Sequence, residues 1–283
     1  PRLIAWMQDS VPPYTRYTYR PGRWVGESAW PSGHVQYRDF HMTANGLKDA
    51  AEPSQEQALS IQSPLTVGLF AGKWCSYHSG PDLPHDQRQE DGGALVFETD
   101  PLTEQVEILG APLAELTVSV NKPVAIVAAR LSDVSPDGKA TRVTYGLLNL
   151  THRDSHEYPQ PVTPGEKYSI RVQLNDIAQA FPKGHKLRLS ISTSYWPLAW
   201  PPPEPVMMQV HTGASRFRMP VRRPAASDAQ IRFEPPEAGP AMDTETLKSP
   251  EHVWHVIRNL ATDESTLEVI KDSGMYRINE IGT

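Results

Sequence analysis

Residues 185–194 read HKLRLSISTS, and the centre of this segment decides the fold class. Its apolar residues Leu187, Leu189 and Ile191 alternate with arginine or serine. Because successive side chains of a strand point to opposite faces, this alternation gives one buried face and one solvated face. The segment therefore predicts a strand of an antiparallel sheet that covers a hydrophobic core.

Similar short segments recur between residues 94 and 219. They are rich in β-branched residues and read ALVFET, QVEILG, LAELTVSV, AIVAARLSDV, RVTYGLLNLTH, KYSIRVQL, HKLRLSISTS and VMMQVH. Three turn triplets accompany them, PDG at 136–138, TPG at 163–165 and PKG at 182–184. No long helical pattern interrupts the series, so the sequence predicts an all-β fold, a two-sheet jelly-roll β-sandwich.

The segments on either side of this series have a different character. Residues 11–34 are dense in Tyr, Trp, Arg and Pro, and they predict an extended segment that packs along a neighbouring domain. Residues 223–250 are rich in Pro and Ala and predict a linker, while 251–283 predict a small, partial C-terminal β unit. Both PRLIAWMQ at the start and MYRINEIGT at the end read as strands, and we expect further chain on at least one side to pair with them.

Composition excludes several classes of function for the 283 residues. The formal net charge of -6 provides no basic surface for nucleic acid or for an anionic membrane. No apolar run reaches the roughly 20 residues that a membrane-spanning helix needs. The single cysteine, Cys75, cannot form an internal disulfide, and this favours a reducing compartment, the cytoplasm.

The sequence offers no convincing nucleophile. An α/β-hydrolase serine requires the strained G-x-S-x-G elbow, and the nearest match, GASRF around Ser215, lacks the second glycine. Cys75 lies three positions before His78, but no third group marks an orienting partner, so a passive thiol is the favoured interpretation. We therefore predict no catalytic residue in this chain.

A polar loop, HSGPDLPHDQRQED at residues 78–91, gathers four potential metal ligands, His78, Asp82, His85 and Asp86. Their spacing matches no established metal signature, and an ion-paired loop pinned through Arg88 is the favoured interpretation. No metal and no cofactor are predicted.

The Trp-Pro loop, SYWPLAWPPPEP at residues 194–205, is the most unusual local feature. Its prolines prevent the backbone from continuing a sheet ladder. Tyr195, Trp196 and Trp200 are interpreted as an interface with another domain, with a stacking platform for sugar rings as the alternative.

Several longer strings occur together in one order: DQRQEDGGALVFETDPL, EILGAPLAELTVSV, ARLSDVSPDGKATRVTYGLLNLTHRDS, TPGEKYSIRVQL and FPKGHKLRLSISTSYWP. In this order they resemble the C-terminal domain of cocaine-esterase-like and X-Pro dipeptidyl-peptidase-like serine hydrolases. The resemblance covers about residues 65 to 219 and implies a galactose-binding-like jelly roll. Residues 1–64 then resemble the tail of an α/β-hydrolase domain with its connecting segment, ahead of a sandwich at 65–222.

The resemblance also implies a role for this domain. Hydrolases of this family carry a Ser-Asp-His triad in an α/β-hydrolase domain, and the triad lies upstream of the part that matches Pro1. The leading edge of the jelly roll helps to wall the acyl pocket, and the matching positions here are Leu69 and Phe70, with Trp74 in the loop that follows. These residues are equally readable as part of the sandwich core.

Taken together, these features predict the non-catalytic C-terminal portion of a serine hydrolase of ester or amide bonds. Its partner is the missing α/β-hydrolase domain, and the chain contributes domain docking and a wall of the acyl pocket. A carbohydrate- or ligand-binding β-sandwich is the alternative function. A homo-oligomerisation module is the other alternative, because long aromatic edges also pack against copies of themselves.

Overall fold

The structure, a computed structural model, describes residues 3–49, 55–74, 81–235 and 237–281. The chain divides into two compact units, Pro1–Ile231 and Arg232–Thr283. In the ranges just given, no helix is long and apolar enough to cross a membrane.

Short strands dominate the first unit. Their bounds are β1 (Leu3–Gln8), β2 (Gly22–Glu27), β3 (Val35–Thr43), β4 (Gly46–Asp49), β5 (Ala58–Ile61), β6 (Leu95–Glu98), β7 (Val106–Gly110), β8 (Leu113–Val120), β9 (Ile126–Val134), β10 (Ala140–Asn149), β11 (Tyr168–Gln173), β12 (Ile177–Phe181), β13 (Lys186–Ser192), β14 (Met208–His211) and β15 (Arg216–Arg222). One short helix, α1 (Arg88–Asp91), and 3-10 turns at Leu150–His152, Thr212–Ala214 and Ala226–Gln230 lie between them.

Two sheets contain these strands. The larger sheet follows the order β2-β1-β12-β7-β15-β8-β14-β5, with β11 beside β8, β3 beside β15 and β4 beside β3. The smaller sheet has the order β10-β9-β13-β6. Most pairings are antiparallel, but β1 and β12 run parallel.

One hydrophobic core lies between the sheets. Leu187, Leu189 and Ile191 of β13 are fully buried in it, as the alternation in the sequence predicts. The facing side chains of the larger sheet include Leu116 and Val118 of β8. This packing confirms the predicted all-β sandwich, whereas the galactose-binding-like assignment stays a prediction.

The N-terminal strands are members of the larger sheet. Strand β1 lies between β2 and β12, and β3 pairs along its length with β15. Strands on both sides of the predicted boundary at residue 64 therefore share one sheet.

A buried ion-pair cluster holds this part of the chain together. Arg222 at the end of β15 is fully buried, and its Nε donates to Glu27 of β2 at 2.7 Å. Its Nη1 and Nη2 each donate to Asp228 of the 3-10 turn at 2.8 Å. Arg23 of β2 in turn donates to Glu107 of β7 at 2.6 Å. The cluster therefore joins strands that are far apart in sequence. A buried charge is tolerated only when it is paired, so separation of these strands would be costly.

The second unit consists of two small sheets. Strand β16 (Thr244–Lys248) pairs with β19 (Met275–Ile278), and β17 (Glu251–Asn259) pairs with β18 (Glu264–Asp272) in a long hairpin. Most of its side chains are exposed. The extension is therefore β-structured, and β16 lies inside the segment predicted as a linker.

Candidate functional site

The candidate site is formed by residues 64–74, here called the Leu69 turn, and by the Trp-Pro loop. The Leu69 turn is a series of tight backbone turns, with hydrogen bonds from Val67 N to Pro64 O at 3.1 Å and from Ala71 N to Gly68 O at 3.0 Å. The backbone angle φ of Gly68 is +116°, a conformation that residues other than glycine rarely adopt. A Cβ at this position would lie 2.2 Å from the carbonyl oxygen of Trp196. The two groups of residues predicted from the sequence are therefore in direct contact.

The predicted pocket-wall residues differ in exposure. Leu69 is only 6% exposed, Phe70 is half-buried, and Trp74 is 76% exposed. The ring of Phe70 packs edge-on against His85, with 5.6 Å between the ring centroids. Burial lowers the pKa of His85, which favours the neutral form of its ring. Phe70 and Trp74 are thus the members of this set that a ligand or another domain can reach.

The aromatic residues of the Trp-Pro loop also separate into inner and outer members. Tyr195 is fully buried against Val67 and Ala71 of the Leu69 turn, and its hydroxyl accepts a hydrogen bond from Arg142 Nη1 at 2.6 Å. Trp196 is half-buried, and Trp200 is 85% exposed. Tyr195 therefore supports the loop from inside, and it does not belong to the exposed surface that Trp200 presents.

Glu90 of α1 holds the Leu69 turn from below. Its carboxylate accepts the backbone N–H of Phe70 at 2.6 Å and the backbone N–H of Gly68. The guanidinium of Arg130 on β9 lies 3.6 Å from the same carboxylate, and both side chains are fully buried. Burial raises the pKa of Glu90, while Arg130 and the two amides oppose this rise.

Sequence reasoning missed this pair, although one signal was present. Arg130 is the charged residue near the centre of AIVAARLSDV, in a strand whose residues are all buried. An arginine there requires an acidic partner from elsewhere in the chain. Glu90 itself lies in a polar string and carries no comparable signal.

Asp91, the neighbour of Glu90, anchors the helix to the smaller sheet. It accepts hydrogen bonds from Arg188 Nη1 and from Ser190 Oγ of β13, both at 2.6 Å. Its Oδ1 also lies 3.5 Å from Arg130 Nη2. The outer face of the smaller sheet is therefore an ionic layer beneath α1.

The predicted polar loop forms ion pairs and hydrogen bonds in its described part. Asp86 accepts from Arg88 at 2.7 Å and from the backbone N–H of Ala140 at 3.2 Å, so the aspartate joins this loop to β10. Burial raises the pKa of Asp86, but its hydrogen bonds outweigh this effect and lower the pKa overall. His78 and Cys75 lie outside the described residues. Across the described ranges, no three His, Cys, Asp or Glu side chains converge as metal ligands.

Two buried serines, Ser215 and Ser119, lie close to His211. Ser215 is buried and fully engaged, because its Oγ donates to His211 O at 2.7 Å and accepts the backbone N–H of Thr117 at 3.0 Å. Ser119 Oγ lies 3.3 Å from His211 Nε2, and His211 Nδ1 lies 3.8 Å from Glu56 Oε1. This order of groups resembles a catalytic triad in outline.

The surroundings of Ser119 do not match a nucleophile. The side chain is 6% exposed and lies within β8, opposite Gln209 of β14, instead of on a strand-to-helix elbow. Glu56 is committed to Lys167 at 2.8 Å, and its distance from His211 exceeds a hydrogen bond. The three side chains are consistent with a polar pairing on the outer face of the larger sheet.

Known proteins with similar sequences are hydrolases. The chain is 25% identical over 199 residues to cocaine esterase from Rhodococcus sp. (strain MB1 Bresler), covering 66% of this chain and 35% of that protein. It is 23% identical over 227 residues to the Xaa-Pro dipeptidyl-peptidase of Pediococcus pentosaceus, covering 65% and 27%. The chain thus spans about a third of the length of the curated relatives that it matches.

Solved structures share the fold. An α-amino acid ester hydrolase superposes with a TM-score of 0.59 at 22% identity, covering 71% of this chain and 39% of the other. A CocE/NonD family hydrolase from Staphylococcus aureus superposes with a TM-score of 0.57 at 15% identity, covering 77% and 41%. The family described as the X-Pro dipeptidyl-peptidase C-terminal non-catalytic domain matches residues 1–253. The chain therefore belongs to this family, whose domain forms the non-catalytic C-terminal part of cocaine-esterase-like and X-Pro dipeptidyl-peptidase hydrolases.

Proposed function

We propose that this chain is the C-terminal portion of a serine hydrolase of ester or amide bonds, and that it docks on the catalytic domain through the Leu69 turn and the Trp-Pro loop. In this arrangement Phe70 and Trp74 line one side of the acyl pocket. The observation that carries the proposal is the exposure of large apolar side chains on two segments that support one another. Leu65, Trp74 and Trp200 are 61%, 76% and 85% exposed.

Such exposure has a physical cost unless a partner covers it. Each of these side chains presents apolar surface to water, and burial of that surface against another domain is favourable at about 25 cal/mol per Å². Tryptophan is also the residue type most enriched among the dominant contacts of protein interfaces. The buried Tyr195 and the Glu90 contact hold the two segments in place, so little conformational entropy is lost on docking.

The chemistry in this proposal belongs to the partner domain. There a serine, whose proton passes to histidine, attacks the acyl carbonyl, and backbone amides stabilise the oxyanion. The alcohol or amine leaves with that proton, and water then attacks the acyl-enzyme and releases the acid. This chain contributes an apolar wall, where Phe70 and Trp74 pack against the apolar part of the acyl group. The acyl group that the pocket accepts then depends on the shape of this wall.

Activity measurements test the division of labour. With p-nitrophenyl acetate, the 283-residue chain alone should give no turnover above a heat-denatured control. Turnover that a serine-directed phosphonate abolishes would place a nucleophile in this chain and refute the proposal.

Binding measurements test the docking surface. With the catalytic domain as a separate polypeptide, Trp200→Ala and Trp74→Ala should each weaken association by roughly 30-fold, the loss typical of a dominant interface residue. Tyr158→Ala is the matched control, because Tyr158 is 67% exposed and lies outside both segments. Equal effects of all three substitutions would contradict the assigned surface. Glycan binding that is lost in Trp200→Ala would instead support a carbohydrate-binding function.

A further inference from the structure

We propose that Glu90 is a positioning residue, which fixes the Leu69 turn on the sandwich and thereby sets the size of the acyl group that the pocket accepts. The inference rests on the proposed function, because it requires Phe70 to face the acyl pocket. It goes beyond that function by naming the group that sets the position of the wall. Glu90 itself does not contact the substrate in this scheme.

The first support is the geometry of the two accepted hydrogen bonds. Glu90 Oε2 accepts the backbone N–H of Gly68, and Oε1 accepts that of Phe70. The two amides are two positions apart, and Leu69 N between them bonds to Thr66 O at 3.3 Å. One carboxylate therefore holds both ends of the tripeptide Gly68–Phe70, which carries the Phe70 part of the wall. Because hydrogen bonds to a carboxylate are stronger than those between neutral groups, a shift of this tripeptide loses two strong contacts at once.

The second support is the rigidity of the base on which Glu90 stands. The residues before it are tied to β10, since Gln87 N donates to Ala140 O at 2.9 Å and Asp86 accepts from Ala140 N at 3.2 Å. Arg130 extends from β9 as the counter-charge, and its guanidinium lies over the Tyr195 ring at 5.4 Å. Glu90 is thus one of the buried side chains that connect the Leu69 turn to the smaller sheet.

The third support is the neighbouring carboxylate of Asp91. A comparison of Glu90 with Asp91 distinguishes positioning of the Leu69 turn from general stabilisation of the fold. Asp91 lies on the same helix and also faces Arg130, at 3.5 Å. Among the described residues, its side chain accepts hydrogen bonds from Arg188, Ser190 and Arg130 of the smaller sheet and none from the Leu69 turn. Asp91→Asn therefore disturbs the ionic layer without releasing the turn, and it is the matched control for Glu90→Gln.

Amide hydrogen exchange in the 283-residue chain tests the contact itself. Glu90→Gln keeps the side-chain volume but leaves one carbonyl oxygen for two N–H groups, so the exchange of the Gly68 and Phe70 amides should accelerate by roughly tenfold or more relative to the amides of β13. Asp91→Asn should leave that ratio unchanged. If both variants change the ratio equally, or neither does, the positioning role is overturned. Glu90→Asp, which keeps the charge opposite Arg130 but shortens the side chain, provides the same comparison if Glu90→Gln does not fold.

Substrate selection in the longer hydrolase that joins this chain to a catalytic domain tests the consequence. The measured quantity is the ratio of kcat/KM for p-nitrophenyl acetate to kcat/KM for p-nitrophenyl octanoate. This ratio should change by about tenfold in Glu90→Gln and stay constant in Asp91→Asn. Loosened amides with an unchanged ratio would overturn the acyl selection and the pocket wall of the proposed function, but they would leave the contact established. Unchanged amides would overturn the positioning role whatever the kinetics.

Discussion

Replacement of Arg222 is the most direct test of what holds the N-terminal strands to the sandwich. Arg222→Met removes three hydrogen bonds of 2.7–2.8 Å and leaves Glu27 and Asp228 buried without their cation. Removal of one partner from a buried ion pair costs about 3–5 kcal/mol. Both carboxylates keep other donors, since Glu27 still bonds to His34 and Asp228 to the N–H of Gly26. The expected loss in the free energy of unfolding is therefore at the lower end, about 3 kcal/mol.

Urea denaturation followed by circular dichroism measures this loss. With an m-value of about 3 kcal/mol/M, as expected for a unit of this size, the midpoint should fall by roughly 1 M. Arg216→Met is the matched control, because Arg216 lies on the same strand and pairs with Glu115 while 48% exposed. Exposed pairs contribute at most about 1 kcal/mol, so its midpoint should fall by less than about 0.3 M. Equal shifts in the two variants would refute the assignment of Arg222 as the central residue of the cluster.

The remaining tests concern the carboxylates of this cluster, a glycine with a positive φ angle and a leucine of the core. Burial raises the pKa values of Glu27 and Asp228, but hydrogen bonds, including those from Arg222, lower them overall below the ordinary 4.5 and 3.8. The folded state then binds fewer protons than the unfolded state. The contribution of these two carboxylates to the free energy of unfolding should therefore be fully present above about pH 4.5 and be lost as the pH falls further. Gly68→Ala should cost about 2 kcal/mol or more in urea unfolding, because φ is +116° and the new Cβ meets the Trp196 carbonyl. Leu189→Ala, at a fully buried position, should cost about 2–5 kcal/mol by the same measurement.

Each of these tests has its own control. Arg222→Met should show a shallower acid dependence, and an unchanged acid slope would mean that other groups titrate. Gly138→Ala, where φ is +84° and no atom lies within 4 Å of the new Cβ, should cost about 1 kcal/mol. A cost as large as that at Gly68 would remove the steric part of the argument. Leu65→Ala, at a 61% exposed position, should stay within about 0.5 kcal/mol, and a loss like that of Leu189→Ala would contradict the location of the core.

Local patterns predicted most of the sandwich because strands and turns are encoded over a few residues. The three turn triplets place Gly138, Gly165 and Gly184 at φ values of 84–85°, where glycine is favoured. Strand β8 coincides with the predicted LAELTVSV. Strands β2, β3, β4 and β5, which precede the predicted series, were not predicted, and within the series two further strands were missed. Strand β12 is five residues long, and β15 contains Pro220, which usually argues against a strand.

The parts of the site that depend on distant residues could not be predicted in the same way. Leu69 and Phe70 were identified through a family resemblance, and their apolar character alone did not decide between the sandwich core and the wall of a pocket. Arg222 and Glu27 are 195 residues apart in the sequence. Strands β6, β7 and β8 lie between Glu90 on α1 and Arg130 on β9. Such pairings arise from tertiary packing, so a local pattern shows only that a buried charge needs a partner.

Strand β1 has a mechanical consequence for any longer chain that contains this domain. Because β1 pairs with β2 from Leu3 to Gln8 and with β12 at Gln8, the direction of this segment is fixed by the larger sheet. A preceding domain joined ahead of Leu3 would therefore inherit a defined direction from the sheet.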